Sequence, residues 1–110
     1  MDEKIVKQAM DIILYAGDAR NACKVALDAI ADEDYETAKE KMKEAKSLIT
    51  EAHRIQTDAI QKDVAGEKQE YNLLFSHAQD TLMTIYSEIN ITKQLLKIFE
   101  KQSERKNEKE

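Results

Sequence analysis

The sequence predicts an all-α protein, an antiparallel up-down-up bundle of three helices. Three observations support this fold class. The chain has no proline and only two glycines in 110 residues. Charged residues make up 35% of it and aromatic residues only 5%, a composition typical of long helices. Apolar residues recur about every 3.6 positions over three long stretches with short turns between them, and short turns make successive helices antiparallel neighbours. We expect one domain over residues 1–100.

The first two helices follow from the apolar spacing and from residues that end or begin helices. The first runs from about Asp2 to Ile30, and its inner row repeats at steps of four and three: Ile5, Ala9, Ile12, Ala16, Ala19, Cys23, Ala26 and Ile30. Either Asp32 or Asp34 can cap the second helix, because a carboxylate accepts hydrogen bonds from free N–H groups. That helix spans about Tyr35 to Lys62, and Gly66 follows it in a turn as a helix-ending residue.

The third predicted helix, from about Lys68 to Lys101, has apolar residues on two sides. The first stripe is an ordinary core seam of Leu74, Ala78, Leu82, Ile85, Ile89, Leu96 and Phe99. The second stripe lies roughly 140° around the helix and contains Leu73, His77, Asp80, Thr84, Ile91, Leu95 and Ile98. A helix apolar on two sides is usually covered on two sides. We therefore expect the second stripe to face a partner subunit, with His77 and Asp80 in or beside that seam.

Charge and composition exclude several classes of function. The formal net charge is −5, with 22 acidic residues and no basic stripe, so a nucleic-acid partner is not expected. A single cysteine excludes an internal disulfide and fits a reducing compartment. With no signal peptide and no apolar run of about 18 residues, we expect a soluble, cytoplasmic protein that does not insert into the membrane. Residues 101–110 contain no apolar side chain, so we expect them to fray or to be disordered.

Few residues can carry chemistry. The sequence has no glycine-rich phosphate loop and no Cys/His cluster with zinc spacing. Cys23 lies on an inner row and is predicted to be buried and inert, and His53 is predicted to be structural or exposed. His77 is either a hydrogen-bonded seam histidine or a nucleophile, since neutral imidazole forms a labile N–P bond near pH 7. In a symmetric trimer three copies of Asp80 would converge, which requires protonation or a bound cation.

The residues around His77 resemble a known family. His-Ala-Gln-Asp at 77–80, followed by Leu-Met-Thr at 82–84, is similar to the motif of the enzyme IIA component of the lactose/cellobiose/diacetylchitobiose family, which belongs to the phosphoenolpyruvate-dependent sugar phosphotransferase system. Further matching segments are residues 15–20, 51–53, 56–57, 60–62 and 66–68. They occur in the right order on all three predicted helices, and the likeness covers about residues 3 to 100.

This resemblance implies a homotrimer of nine helices that acts as a phosphotransferase. His77 would accept a phosphoryl group on Nε2 from phospho-HPr and pass it to a cysteine of the IIB protein or domain, and the IIC membrane permease would couple this to sugar uptake. Three copies of Asp80 would hold one Mg²⁺ ion per trimer. The family usually has a second histidine four residues after the first, where this chain has Thr81. That departure leaves open a regulatory or interaction paralogue that does not transfer phosphate, or a generic helical scaffold.

Overall fold

The computed structural model describes residues 3–64 and 73–109, and the side chains of residues 3–62 and 73–108. The helices are α1 (Glu3–Ala31), α2 (Tyr35–Val64) and α3 (Leu73–Lys109). Within these ranges there is no strand, so the all-α, three-helix prediction is confirmed. The predicted turn with Gly66, the predicted start of α3 and Asp2, where the first helix is predicted to begin, lie outside the described residues. No described helix combines the length and the hydropathy needed to cross a membrane.

The connection between α1 and α2 is built from backbone hydrogen bonds and one side-chain cap. Glu33 N–H donates to the Ile30 carbonyl at 3.0 Å and Asp34 N–H to the Ala29 carbonyl at 2.9 Å, the pairing that closes a helix C-terminus around a left-handed residue. That residue is Glu33, with φ of 59°. The Thr37 amide then donates to Asp34 Oδ1 at 3.2 Å. Asp34 is therefore the residue that caps α2.

The cap makes helix stability depend on pH. Hydrogen bonds from the Thr37 side chain and then its backbone lower the pKa of the Asp34 carboxyl. A carboxyl whose folded pKa lies below its unfolded value stabilises the fold above the unfolded pKa. This contribution is lost as the pH falls through the folded pKa.

Replacing Glu33 with glycine should stabilise the protein. A residue with a Cβ costs roughly 1–2 kcal/mol in the left-handed conformation, and glycine recovers this at an entropic cost of roughly 0.5–1 kcal/mol. We expect a net gain of about 0.5–1 kcal/mol in the free energy of unfolding, measured by urea denaturation. The same change at Glu40, an exposed position inside α2, should lose about 1 kcal/mol. A loss at both positions would show that the Glu33 backbone is not strained.

The core is rich in alanine, which lets the three helices approach closely. Its main cluster comprises Ala9, Ile12, Ala16, Ala19, Ala22, Cys23, Ala45, Ile49, Ala52, Ala78, Leu82, Ile85 and Ile89. Most of the first stripe of α3 is buried as predicted, and Leu74 packs against this cluster while partly buried. The prediction is wrong for Phe99, which is 43% exposed. Phe99 borders a hollow beside Leu27 and Leu95 instead of filling the core.

Polar contacts fix the parallel register of α1 and α3. Arg20 Nε and Nη2 donate to the two carboxylate oxygens of Glu88 at 2.9 and 2.7 Å, and this hydrogen bonding raises the pKa of Arg20. Deeper between the helices, Cys23 Sγ donates to Thr92 Oγ1 at 3.1 Å. Cys23 is buried, which confirms its predicted position. Because the ion pair is about half exposed, it contributes more to register than to stability.

Helix α3 extends further than the sequence predicts. The predicted helix ends at about Lys101, and the residues after it are expected to fray or to be disordered, whereas α3 is helical through Lys109. The prediction weighed only the missing apolar residues. Lys, Glu, Gln and Arg are strong helix formers, and no proline or glycine interrupts them. The preceding turn is also held to α2, where Lys39 Nζ lies 2.6 Å from Glu100 Oε2.

Candidate functional site

The second stripe of α3 lies on the surface of the single chain. Leu73 is 74% exposed, Ile91 59% and Ile98 48%, while Leu95 is half-buried. These large apolar side chains recur along one flank of the helix and are open to water in the single chain. The core stripe and the second stripe are thus distinct sides of one helix.

His77 is exposed in the second turn of α3 as described. Its neighbour Ala78 is fully buried in the core, so the backbone is anchored where the imidazole projects outward. Thr81 Oγ1 donates a hydrogen bond to the His77 carbonyl at 2.8 Å. An exposed imidazole on a rigid helix can be reached by a reactive group carried by another protein.

Asp80 is also exposed, one turn along from His77, and its carbonyl accepts a hydrogen bond from Thr84 Oγ1 at 2.8 Å. Among the described residues, no three His, Cys, Asp or Glu side chains of one chain come together to hold a metal ion. Carboxylate oxygens are the ligands that Mg²⁺ prefers, so the donor type fits. That further copies of the chain supply the other carboxylates around a cation at Asp80 stays a prediction.

The other nucleophile candidate, His53, stands apart from this site. It is exposed on α2, which confirms the predicted surface position. Its neighbour Arg54 is engaged with Glu51 and with Asp58, the latter at 3.1 Å. The charges beside His53 therefore compensate one another.

Sequence reasoning missed a groove that borders the second stripe. It has a volume of 270 Å³ and lies between α1 and α3, lined by Arg20, Lys24, Leu27, Glu88, Ile91 and Leu95 together with Cys23 and Thr92. Ile91 and Leu95 belong to the second stripe, so the apolar half of that stripe continues into the groove. Arg20 and Glu88 are 68 residues apart, and no local pattern signals that they pair.

Comparison with known proteins identifies the class. Residues 7–100 match the family described as "PTS system, Lactose/Cellobiose specific IIA subunit". The chain therefore belongs to the lactose/cellobiose-specific IIA family of the sugar phosphotransferase system, and the resemblance inferred from the sequence is confirmed.

Individual relatives match over nearly the full chain. The lichenan-specific phosphotransferase enzyme IIA component of Bacillus subtilis is 33% identical over 106 residues, covering 96% of each protein. The crystal structure of the cellobiose-specific enzyme IIA from Bacillus anthracis has a TM-score of 0.87 and 32% identity, covering 94% of each chain. The IIA(Chitobiose) protein of Escherichia coli, solved in complex with HPr, has a TM-score of 0.79 and 29% identity and covers 94% of this chain and 99% of its own.

Proposed function

We propose that the protein accepts a phosphoryl group from phospho-HPr on Nε2 of His77 and passes it to a cysteine of a cognate IIB protein or domain. Together with a IIC permease it would serve uptake of a sugar of the lactose, cellobiose or diacetylchitobiose type, from the cytoplasmic side. The observation that carries this proposal is the exposed imidazole of His77, projecting from a core-anchored helix within the matched family region.

The chemistry requires one nucleophile and accurate positioning. In the first step the bond between phosphorus and HPr breaks and an Nε2–P bond forms, while the Nδ1 proton stays on the ring. In the second step a thiolate attacks the phosphorus, an S–P bond forms, and the Nε2–P bond breaks with its electron pair returning to Nε2, which restores the neutral imidazole. Phosphoryl transfer depends mainly on in-line placement and charge stabilisation. An exposed side chain on a rigid helix suits both encounters.

The choice of partners rests on two observations. A related IIA protein has been solved in complex with HPr, which supports HPr as the phosphoryl donor here. The chain has a net charge of −5, so a partner with a basic face would be steered toward it. Such encounters are fast and weaken as salt is added.

We also propose that three chains assemble through the second stripe. The support is the exposure of its apolar residues in the single chain, which burial between copies would remove from water. Three copies of Asp80 would then lie near the axis and hold one Mg²⁺ ion. When bound, this cation would neutralise carboxylates that otherwise repel one another.

Phosphate labelling tests the proposed function. The protein is incubated with phosphoenolpyruvate, enzyme I and HPr, and the acid-labile label is located by peptide mapping. We expect one phosphoryl group per chain, on His77. A protein that takes up no label under conditions that load another IIA protein would instead be the non-transferring paralogue.

A further inference from the structure

One surface of the bundle, where α2 and α3 lie side by side, contains no acidic residue. On each helix its partly or fully exposed positions recur at steps of three and four, the spacing of one helix side. The α2 row is Lys43, Lys46, Thr50, His53, Thr57 and Ile60. The α3 row is Gln79, Met83, Tyr86, Asn90, Lys93 and Lys97. We call these two rows the lysine face. It belongs to a chain with 22 acidic residues and a net charge of −5.

An ion pair between the helices shows how the two rows lie relative to each other. Lys39 Nζ of α2 lies 2.6 Å from Glu100 Oε2 of α3, and each row begins within one turn of this pair. Lys46 is seven positions after Lys39, and Lys93 is seven positions before Glu100. Seven residues make about two helical turns. Because α2 and α3 are antiparallel and share the main core cluster along this stretch, Lys46 and Lys93 lie at the same level.

The lysines of this face carry positive charges that the chain itself does not compensate. Lys43, Lys46, Lys93 and Lys97 are exposed, and none of them forms an ion pair with a described side chain. Every other lysine or arginine described before residue 101 has an interaction partner. Like charges at one level destabilise each other. An anionic group placed between the two rows would therefore be stabilised by several lysines at once.

The other half of the lysine face presents apolar and aromatic side chains. Ile60 is 44% exposed, Met83 54% and Tyr86 45%, and His53 is exposed on the same row as Ile60. Aromatic and methionine side chains are enriched in protein interfaces, where complementary charges steer the partner into place. The face thus has a cationic half and an apolar half along roughly 27 Å of helix.

This face is separate from the candidate phosphoryl site and from the second stripe. Tyr86 is nine residues after His77, which is a rotation of about 180° around α3 at about 100° per residue. Ile91 of the second stripe lies about 140° from Tyr86. A protein docked at His77, or further chains packed on the second stripe, would therefore leave the lysine face open.

We propose that the lysine face docks an acidic, amphipathic segment of a partner protein. Carboxylates of that segment contact the lysines, and its apolar side chains contact Met83 and Tyr86. A partner with a basic face, such as we propose for His77, is repelled here. Nucleic acids and anionic membranes present negative charge over much larger areas, and the net charge of −5 opposes them. The inference goes beyond phosphoryl transfer and does not depend on it.

The probe for this site is a short synthetic peptide with four glutamates at one end and a leucine and a phenylalanine at the other. It is titrated into ¹⁵N-labelled protein, and amide chemical shifts locate the contact. We expect saturable binding, with the shifts on the two rows of the lysine face. The double variant Lys46→Glu/Lys93→Glu should bind at least about tenfold more weakly. The control Lys7→Glu/Lys24→Glu makes the same change of net charge on exposed lysines of α1 and should stay within about threefold of the parent.

A lack of saturable binding, shifts centred on His77, or equal weakening in both double variants would overturn the proposal. Equal binding of a peptide with glutamines in place of the glutamates would also contradict it. Tighter binding of phosphatidylglycerol vesicles or of single-stranded DNA would assign the face to a different class of partner. Circular dichroism establishes that each variant keeps its helices.

Phosphate labelling distinguishes this inference from the proposed function. The rate of labelling by phospho-HPr should be the same with and without the peptide, because the two sites lie on opposite sides of α3. A peptide that blocks labelling would show that it binds at the phosphoryl site and not at the lysine face. A protein that takes up no label at all would count against the proposed function and would leave the peptide titration unaffected.

Discussion

Replacing His77 with alanine should abolish phosphate acceptance from phospho-HPr. The imidazole of His77 is the proposed nucleophile, and the His-Ala-Gln-Asp motif contains no second histidine that could replace it. We therefore expect the labelling rate to fall by at least about a thousandfold. The imidazole is exposed, and exposed substitutions usually change the free energy of unfolding by no more than about 0.5 kcal/mol. The measurement is transfer of ³²P from phosphoenolpyruvate through enzyme I and HPr.

The matched control for this variant is His53→Ala. His53 is also an exposed histidine, on α2, and its removal should leave labelling at the parent rate. Circular dichroism and sedimentation establish that both variants keep their helices and their assembly state. Continued labelling of His77→Ala, or loss of labelling in His53→Ala, would show that the nucleophile has been assigned to the wrong residue.

Replacing Ile91 with glutamate should convert the proposed trimer into monomers. Ile91 is 59% exposed in the single chain, and burying such a side chain contributes roughly 1.5–3 kcal/mol. A trimer loses this contribution three times and gains three like charges close together. Because the dissociation constant of a trimer varies as the square of the concentration, we expect the midpoint concentration for dissociation to rise by at least about fortyfold, measured by sedimentation equilibrium.

Two control variants distinguish assembly through the second stripe from nonspecific association of exposed apolar residues. Tyr86→Glu changes another exposed apolar residue of α3, 45% exposed and outside the second stripe, and it should remain trimeric. Asp80→Leu lies on the stripe and should also remain trimeric, because it removes three converging charges, but the stability of its assembly should no longer respond to Mg²⁺. A parent protein that is monomeric at every concentration would refute the assembly altogether.

The parts of the fold that sequence reasoning predicted correctly depend on near neighbours in the chain. The buried rows of α1, α2 and most of α3 follow from the helical period, and the start of α2 follows from the capping chemistry of Asp34. The errors arose where one local signal was given too much weight. The lack of apolar residues after Lys101 predicts that α3 ends there, although intrinsic helix propensity continues the helix to Lys109. Phe99 keeps the apolar period yet lies where the bundle no longer covers it.

The candidate site was also found locally, because His77 and Asp80 are one turn apart and the family motif is contiguous. The contacts around these two residues cannot be predicted from neighbouring residues in the chain. The bond from the Thr81 hydroxyl to the His77 carbonyl depends on a rotamer, and sequence predicts only that a hydroxyl is available there. The groove beside the second stripe requires α1 and α3 to lie side by side in one particular register.

By itself, the sequence determined three helices, their inward rows and an imidazole on a second apolar flank, because each of these is set by residues within a few turns of one another. Only the tertiary structure decided how far each helix slides and rotates against the next. The resulting register of α1 against α3 pairs Arg20 with Glu88 and Cys23 with Thr92. It also leaves Leu73, Ile91 and Ile98 open to water. Contacts between residues nearly 70 positions apart depend on how whole helix faces pack together, and no local stretch of sequence contains that information.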